Sequence, residues 1–209
     1  MQAPSGTHAH DSLRRADLDP DPIEQFRAWL ADADAAGVPL ANAIAVATAD
    51  GEGAPSVRHV LLRGIETDGF VFYTNHASRK GRELAENPRA AFTVLWRELD
   101  RQICVRGQVA SLPDADSDAY FATRPREAQI GAWASRQSEP IADRAALEQR
   151  LTDATERFAG RDVPRPPFWG GFVLTPDAIE FWQGRQFRLH DRFVYTRAGE
   201  TWHIERLSP

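Results

Sequence analysis

From Ala43 onward, apolar side chains recur at every second position in short runs separated by turn residues. A period of two puts successive side chains on opposite faces of an extended chain, so most of this sequence is committed to half-buried strands. Residues 43–49 and 56–63 read as a hairpin across Asp50-Gly51-Glu52-Gly53. Residues 69–74 make a third strand, and 90–96 with 101–112 another pair. Strands over 171–174 and 178–182 follow, and a hairpin of 188–195 with 201–207 closes the chain. Helical periodicity interrupts at 78–87, which Asn87-Pro88 closes, and again at 114–123 and 144–159. Ahead of the strands, Asp21-Pro22-Ile23-Glu24 offers an N-cap, a proline at the first helical position and a capping-box glutamate. Ile23, Phe26 and Leu30 share a face of that helix, and Gly37 ends it. Consecutive hairpins with helices inserted between them specify a mainly β, α+β fold. The expected form is an antiparallel barrel with peripheral helices, not a parallel α/β sheet.

At 209 residues the chain can bury one substantial core. No repeat or linker divides it, so residues 19–209 read as a single domain behind a disordered tail over 1–18, where His8 and His10 read as functionless in preference to a weak metal site. A net charge of −5 argues against general attraction to nucleic acid or to a membrane, so any anion site must be a local concentration of cations. The one cysteine, Cys104, rules out an internal disulfide and any multi-cysteine metal site; between Ile103 and Val105 it reads as a buried, inert thiol. No apolar run is long enough to span a membrane, and the first 20 residues lack a signal-peptide core, which implies a cytoplasmic protein.

Four segments concentrate cations in this acidic background. In Tyr73-Thr74-Asn75-His76-Ala77-Ser78-Arg79-Lys80-Gly81 a strand ends and a helix begins, with Ser78 as N-cap. Arg79 and Lys80 occupy the first turn, where each cation costs about 0.3–1 kcal/mol unless an anion answers it. Free N–H groups, a hydroxyl and two cations make a phosphate cradle. Lys80 is also the only lysine among 25 basic residues. The strand Arg58-His59-Val60-Leu61-Leu62-Arg63 carries arginines on opposite faces if its pleat is regular; they serve two sites or reach solvent at the strand ends. Tyr120 and Arg124, one helical turn apart, form a phosphate clamp or an aromatic packed under an arginine stem. If residues 180–192 are extended, Arg188, His190 and Arg192 share one face, with Trp182 and Phe187 nearby. That arrangement suits a planar anion, or else it is a charged strand edge in solvent. Residues 129–138 read as a short helix and a polar loop.

Other chemistries lack candidates. There is no dinucleotide fingerprint, phosphate loop, nucleophile elbow or zinc ligand set, and the carboxylates are scattered. The residues that stand out bind anions and stack on rings, so demanding chemistry would fall to a bound cofactor.

In this order, these segments resemble the pyridoxamine 5′-phosphate oxidase family. The likeness runs from about Asp19 to Pro209. It includes the stretch from Arg58 to Arg63, Phe72-Tyr73-Thr74-Asn75, Ser78-Arg79-Lys80, Arg124-Pro125-Arg126, Gln129-Ile130-Gly131-Ala132-Trp133, Gln137-Ser138, Phe168-Trp169-Gly170-Gly171, Glu180-Phe181-Trp182-Gln183-Gly184 and Arg188-Leu189-His190-Asp191-Arg192. The resemblance implies a split β-barrel homodimer with FMN at the subunit interface. It implies FMN contacts for Arg58, His59, Val60, Leu61, Leu62, Arg63, Tyr73, Thr74, Arg79, Lys80, Gln102, Gln137, Ser138, Trp182 and Arg192. It implies a substrate phosphate near Arg63, Tyr120, Arg124 and Ala128, with Arg188, Leu189 and His190 at the substrate ring, Arg188 and His190 being the catalytic pair. The implied reaction oxidises pyridoxamine or pyridoxine 5′-phosphate to pyridoxal 5′-phosphate, with hydride transfer from C4′ to flavin N5 and O2 reduced to hydrogen peroxide; no metal takes part. The family commonly has lysine at the place of Arg63 and often serine at the place of Ala128, and the segment before Asp19 is short. Two alternatives stay open: a related oxidase of a phenazine-type metabolite, and a non-catalytic flavin or pyridoxal-phosphate binder.

Overall fold

The computed structural model describes residues 12–209. The helix Pro22–Ala35 (α1) precedes the strands Ala43–Ala49 (β1), Pro55–Ile65 (β2) and Phe70–Asn75 (β3). The helix Arg79–Glu86 (α2) leads to Arg89–Trp96 (β4) and Arg101–Ser111 (β5). Three helices follow, Asp114–Ala122 (α3), Arg126–Ala134 (α4) and Arg144–Arg157 (α5), and then Trp169–Gln183 (β6), Asp191–Ala198 (β7) and Thr201–Leu207 (β8). All strand pairs are antiparallel, in the order β3-β2-β1-β4-β5-β6-β7-β8, and β6 pairs back onto β3. Six strands thereby close a barrel, and β7–β8 continue the sheet beyond β6. Closure removes exposed edges from the barrel strands.

The core fills as the period of two demands. In β1, Ile44 and Val46 are fully buried, while their neighbours are half-exposed. Phe26 of α1 packs 4.7 Å from Phe70, and Trp29 meets Phe181 edge-on at 5.2 Å. Trp96 is buried there too, with Nε1 donating to the Ala41 carbonyl at 2.9 Å, so its polar handle is satisfied. A second cluster, including Phe121, Ile130, Phe158 and Trp169, joins α3, α4 and α5 to β6.

Several elements depart from the sequence pattern. Residues 171–174 and 178–182 belong to one strand, β6, because a register shift at Arg106/Gly107 accommodates Pro176, which has no N–H to donate. Gly107 is required there, since a Cβ would lie 2.0 Å from the Thr175 carbonyl oxygen. The last hairpin starts at Asp191, not at residue 188. Phe187 and Arg188 are left-handed (φ 58° and 62°) in a short 3-10 turn linking β6 to β7, so the strip over 180–192 is not continuously extended. Asp21 caps α1 by accepting from the Ile23 N–H at 2.8 Å, whereas Glu24 pairs with Arg27 instead of completing a capping box. Cys104 is half-buried and faces the outside of the barrel, because its strand alternates and Ile103 and Val105 take the inward positions. Residues 12–18, expected in the disordered tail, pack on the last strands: the Leu13 N–H donates to Asp191 at 3.0 Å, Arg206 donates to the Leu13 carbonyl at 2.8 Å, and Leu18 is buried. His8 and His10 lie outside the described residues.

Candidate functional site

A cleft of about 820 Å³ runs along β2 between the start of α2 and the helices α3 and α4. At one end, β3 delivers Thr74 and α2 delivers Ser78, Arg79 and Lys80. Ser78 is the N-cap, accepting from the Gly81 N–H at 3.4 Å. Gly81 is needed for this turn, since a Cβ would fall 2.1 Å from the His76 carbonyl oxygen. Lys80 is 7% exposed, and its Nζ donates to Gln137 Oε1 at 2.7 Å, Thr74 Oγ1 at 2.9 Å and Ser78 Oγ at 3.3 Å. Burial, and then the charge of Arg58, pull its pKa down to about 8, against the opposing charge of Glu83. Arg58 donates to Thr48 Oγ1 at 2.6 Å, to the Val46 carbonyl at 3.2 Å, and to Ser56 Oγ and Glu83.

At the other end, Arg124 lies over the Trp169 ring, 4.6 Å from its centre. Its Nη1 is buried without a hydrogen-bond partner. Burial lowers its pKa, Tyr120 opposes that, and Arg63 adds to it. Tyr73 and Tyr120 stack at 3.9 Å with planes 15° apart, and Trp169 continues the stack 5.4 Å from Tyr73. An orphaned guanidinium N–H beside an aromatic wall calls for an anion carried on a flat, apolar body.

Arg58, His59, Val60, Leu61, Arg63, Tyr73, Thr74, Arg79, Lys80, Tyr120, Arg124, Ala128, Gln137 and Ser138 all line this one cleft. Arg58 and Arg63 therefore border the same cleft, and neither simply reaches solvent at its strand end. Arg58, His59, Val60 and Leu61, from both faces of the strand, line it, and a register shift between Leu62 and Gly64 leaves Arg63 unpaired in the β2–β3 ladder. Arg124 lies beyond the end of α3, not one turn along a continuous helix. Leu62 is 4% exposed in the core cluster, so its side chain stays outside the cleft.

The remaining expected residues lie elsewhere on this chain. Gln102, Trp182 and Arg192 are cross-strand partners in one row across β5, β6 and β7. Arg192 is gripped by Glu180 at 2.8 and 3.1 Å. Arg188 and Leu189 are exposed on the loop, while His190 packs 4.6 Å from the Trp182 ring and its Nδ1 accepts from the Arg185 N–H at 3.0 Å. Arg188, His190 and Arg192 thus form no common strip. Phe187 is 88% exposed and adds no wall. Beside that row, Ala45, Ala47, Ala91, Thr93, Cys104 and Val194 face outward in a shallow apolar groove. Val57, 69% exposed, borders both groove and cleft.

Trp169, Ser56 and Glu83 were missed in the sequence reading. Glu83 stands four residues after Arg79, a helical ion-pair spacing that could have revealed it. Among the described residues no cluster of His, Cys, Asp or Glu could hold a metal ion, and no helix is long and apolar enough to cross a membrane.

A closed antiparallel barrel with one cationic, aromatic-walled cleft defines a split-barrel protein built around an anion site. Residues 30–158 match the family model described as pyridoxamine 5′-phosphate oxidase, and residues 169–209 match the pyridoxine 5′-phosphate oxidase C-terminal dimerisation region. The pyridoxine/pyridoxamine 5′-phosphate oxidase of Rubrobacter xylanophilus is 55% identical, over 91% of this chain and 88% of that one. The protein of the same description from Anaeromyxobacter dehalogenans is 53% identical, over 91% and 96%. The crystal structure of PhzG from Burkholderia lata in complex with tetrahydrophenazine-1-carboxylic acid aligns at a TM-score of 0.89 and 36% identity, covering 95% of this chain and 98% of that one. A Nostoc punctiforme FMN-binding protein shares the fold at a TM-score of 0.71 and 18% identity, covering 92% and 100%. The chain belongs to the pyridoxamine 5′-phosphate oxidase family and is an oxidoreductase.

Proposed function

We propose that this protein oxidises pyridoxamine 5′-phosphate and pyridoxine 5′-phosphate to pyridoxal 5′-phosphate, with FMN as cofactor and as a homodimer. The observation that carries the reading is the unpartnered Nη1 of Arg124 in the same cleft as the Lys80 cradle. Two cation groups at two ends of one cleft fit two phosphate-bearing molecules.

Lys80, Arg58, Arg79, Thr74, Gln137 and Ser138 would hold the phosphate of FMN. Ser138 sits in the left-handed region (φ 71°), turning this loop towards the cleft. Arg124, Arg63 and Tyr120 would grip the substrate phosphate, with Ala128 beside them. The stack of Tyr73, Tyr120 and Trp169 gives that end an apolar wall that excludes water. Bound FMN would supply the redox chemistry, a two-electron oxidation of the substrate at C4′ with O2 as the final acceptor. The protein's own contribution is orientation, which converts an encounter into an effectively intramolecular step.

A second copy completes the site in this reading. Its groove-side row (Gln102, Trp182, Arg192) and its loop (Arg188, Leu189, His190) would reach the open side of the cleft, since Val57 joins the two surfaces. Arg188 then positions and polarises the substrate ring, and His190 supports it with a hydrogen bond. The match of residues 169–209 to a dimerisation region supports this arrangement.

Anaerobic mixing of the yellow holoprotein with pyridoxine 5′-phosphate tests the reading. Bleaching of the flavin is expected, and peroxide on admission of air. A flavin that stays yellow would make the protein a carrier and refute the oxidase. The alignment with PhzG motivates a second reading, oxidation of a phenazine-type acid. Turnover of such an acid, without a preference for phosphorylated pyridoxine over free pyridoxine, would favour it.

A further inference from the structure

Glu83 is outside the cleft lining, yet it organises the cations within it. Its carboxylate is 5% exposed. It accepts from Ser56 Oγ at 2.6 and 2.8 Å, from Thr48 Oγ1, from Arg79 Nε at 2.8 Å and from Arg58 Nη2 at 3.2 Å. Burial alone would raise its pKa, but these bonds outweigh burial and hold it at about 2, so the group is an anion at every working pH. One buried carboxylate thus fixes two of the three cations at this end and acts through space on the third, Lys80. Arg58, Arg79 and Lys80 carry three positive charges and Glu83 one negative charge, leaving two. A phosphate monoester carries about −1.5 to −2 at pH 7.

We propose that Glu83 is a positioning residue for the cofactor phosphate: it holds Arg58 and Arg79 in fixed orientations and sets one buried negative charge among the cations of the cradle. The proposal rests on the FMN reading above. A purely structural Glu83 would only fasten α2 to the hairpin of β1 and β2; glutamine keeps the shape but turns one accepting oxygen into a donor, so lost stability alone does not separate the roles. The charge separates the two roles. The charged groups acting on Lys80 are Arg58 and Glu83, and its hydrogen-bond partners Thr74, Ser78 and Gln137 are neutral.

Because Lys80 is the only lysine, full-length protein labelled with ¹³C at the lysine ε-carbon gives one titrating signal. In Glu83→Gln, the midpoint of the FMN-free protein should fall by about one pH unit, the scale of one nearby charge at intermediate dielectric. FMN affinity at pH 7, read by quenching of flavin fluorescence, should weaken about tenfold, and its loss at alkaline pH should begin correspondingly earlier. Glu83→Asp keeps the charge, so its lysine midpoint should stay near wild type while FMN binding weakens. Glu86→Gln, on the exposed side of the same helix, should change neither. An unmoved midpoint with unchanged or tighter FMN binding in Glu83→Gln overturns the proposal. So does an Asp variant whose midpoint falls as far as that of Gln. If Glu83→Gln does not fold, an Asp variant with wild-type FMN affinity overturns it. A wild-type protein that binds no FMN would instead sink the cofactor reading, while the lysine titration still reports whether Glu83 governs Lys80.

Discussion

Arg124→Ala is the perturbation whose outcome the structure defines most sharply. The guanidinium is held over Trp169, one of its nitrogens is buried and unpaired, and Arg63 adds a second positive charge nearby. If a substrate phosphate occupies this end, it meets a donor that has already lost its water. A charge-assisted hydrogen bond of this kind is worth about 1.5–3 kcal/mol. At 1.4 kcal/mol per factor of ten, its removal should raise KM about 10- to 150-fold. The grip on phosphate is equal in ground and transition states, so kcat should change by less than about threefold. Stability should barely move. The alanine loses a cation–π contact of about 0.5–2 kcal/mol, but it also removes a desolvated charge. Initial rates of peroxide release with pyridoxine 5′-phosphate give the two constants. Free pyridoxine is the control: lacking the phosphate, it should show the same kcat/KM with both proteins. A KM within twofold of wild type, or an equal fall in kcat and kcat/KM, would remove Arg124 from the phosphate site.

Three further outcomes test neighbouring parts of the argument. Ala128→Ser, which restores a hydroxyl beside that phosphate, should lower KM up to about tenfold; an unchanged KM would mean that position 128 does not meet the anion. Lys80 has an ordinary pKa of 10.5 and a folded value of about 8, so between these the unfolded chain binds more protons, and the FMN-free protein should gain stability as pH rises through that window. FMN affinity should move the opposite way, falling above pH 8 as the ammonium is lost; urea titrations and flavin quenching on wild type and Lys80→Met check both, and identical pH profiles in the two proteins would refute the assignment. Gly81→Ala should cost about 1–3 kcal/mol and weaken FMN binding, because the new methyl displaces the His76 carbonyl; a urea midpoint equal to wild type would refute the close approach.

Much of the barrel was legible because alternation is a local property. The ranges of β1, β4 and β8 follow from side chains two residues apart, and the first turn of α2 from Ser78 and the cations behind it. The rest depends on contacts distant in sequence. Arg63 joins Arg58 in one cleft because α2 packs beside one end of β2 and α3 and α4 beside the other, so both faces of the strand border the same space. Pro176 sits inside a long strand only because Gly107 lets β5 bulge opposite it. Arg188 leaves the expected strip because the connection from β6 to β7 closes through left-handed residues. Glu83 was missed because a helical glutamate looks solvent-facing until β1 and β2 bring Thr48, Ser56 and Arg58 against it. The sequence by itself determined the antiparallel strands, the helix-capped cradle around Lys80 and the family. Only tertiary structure decided which cations share a cleft, which one stays unpaired, and which expected residues lie away from that cleft on this chain, because charge and burial are set by neighbours in space.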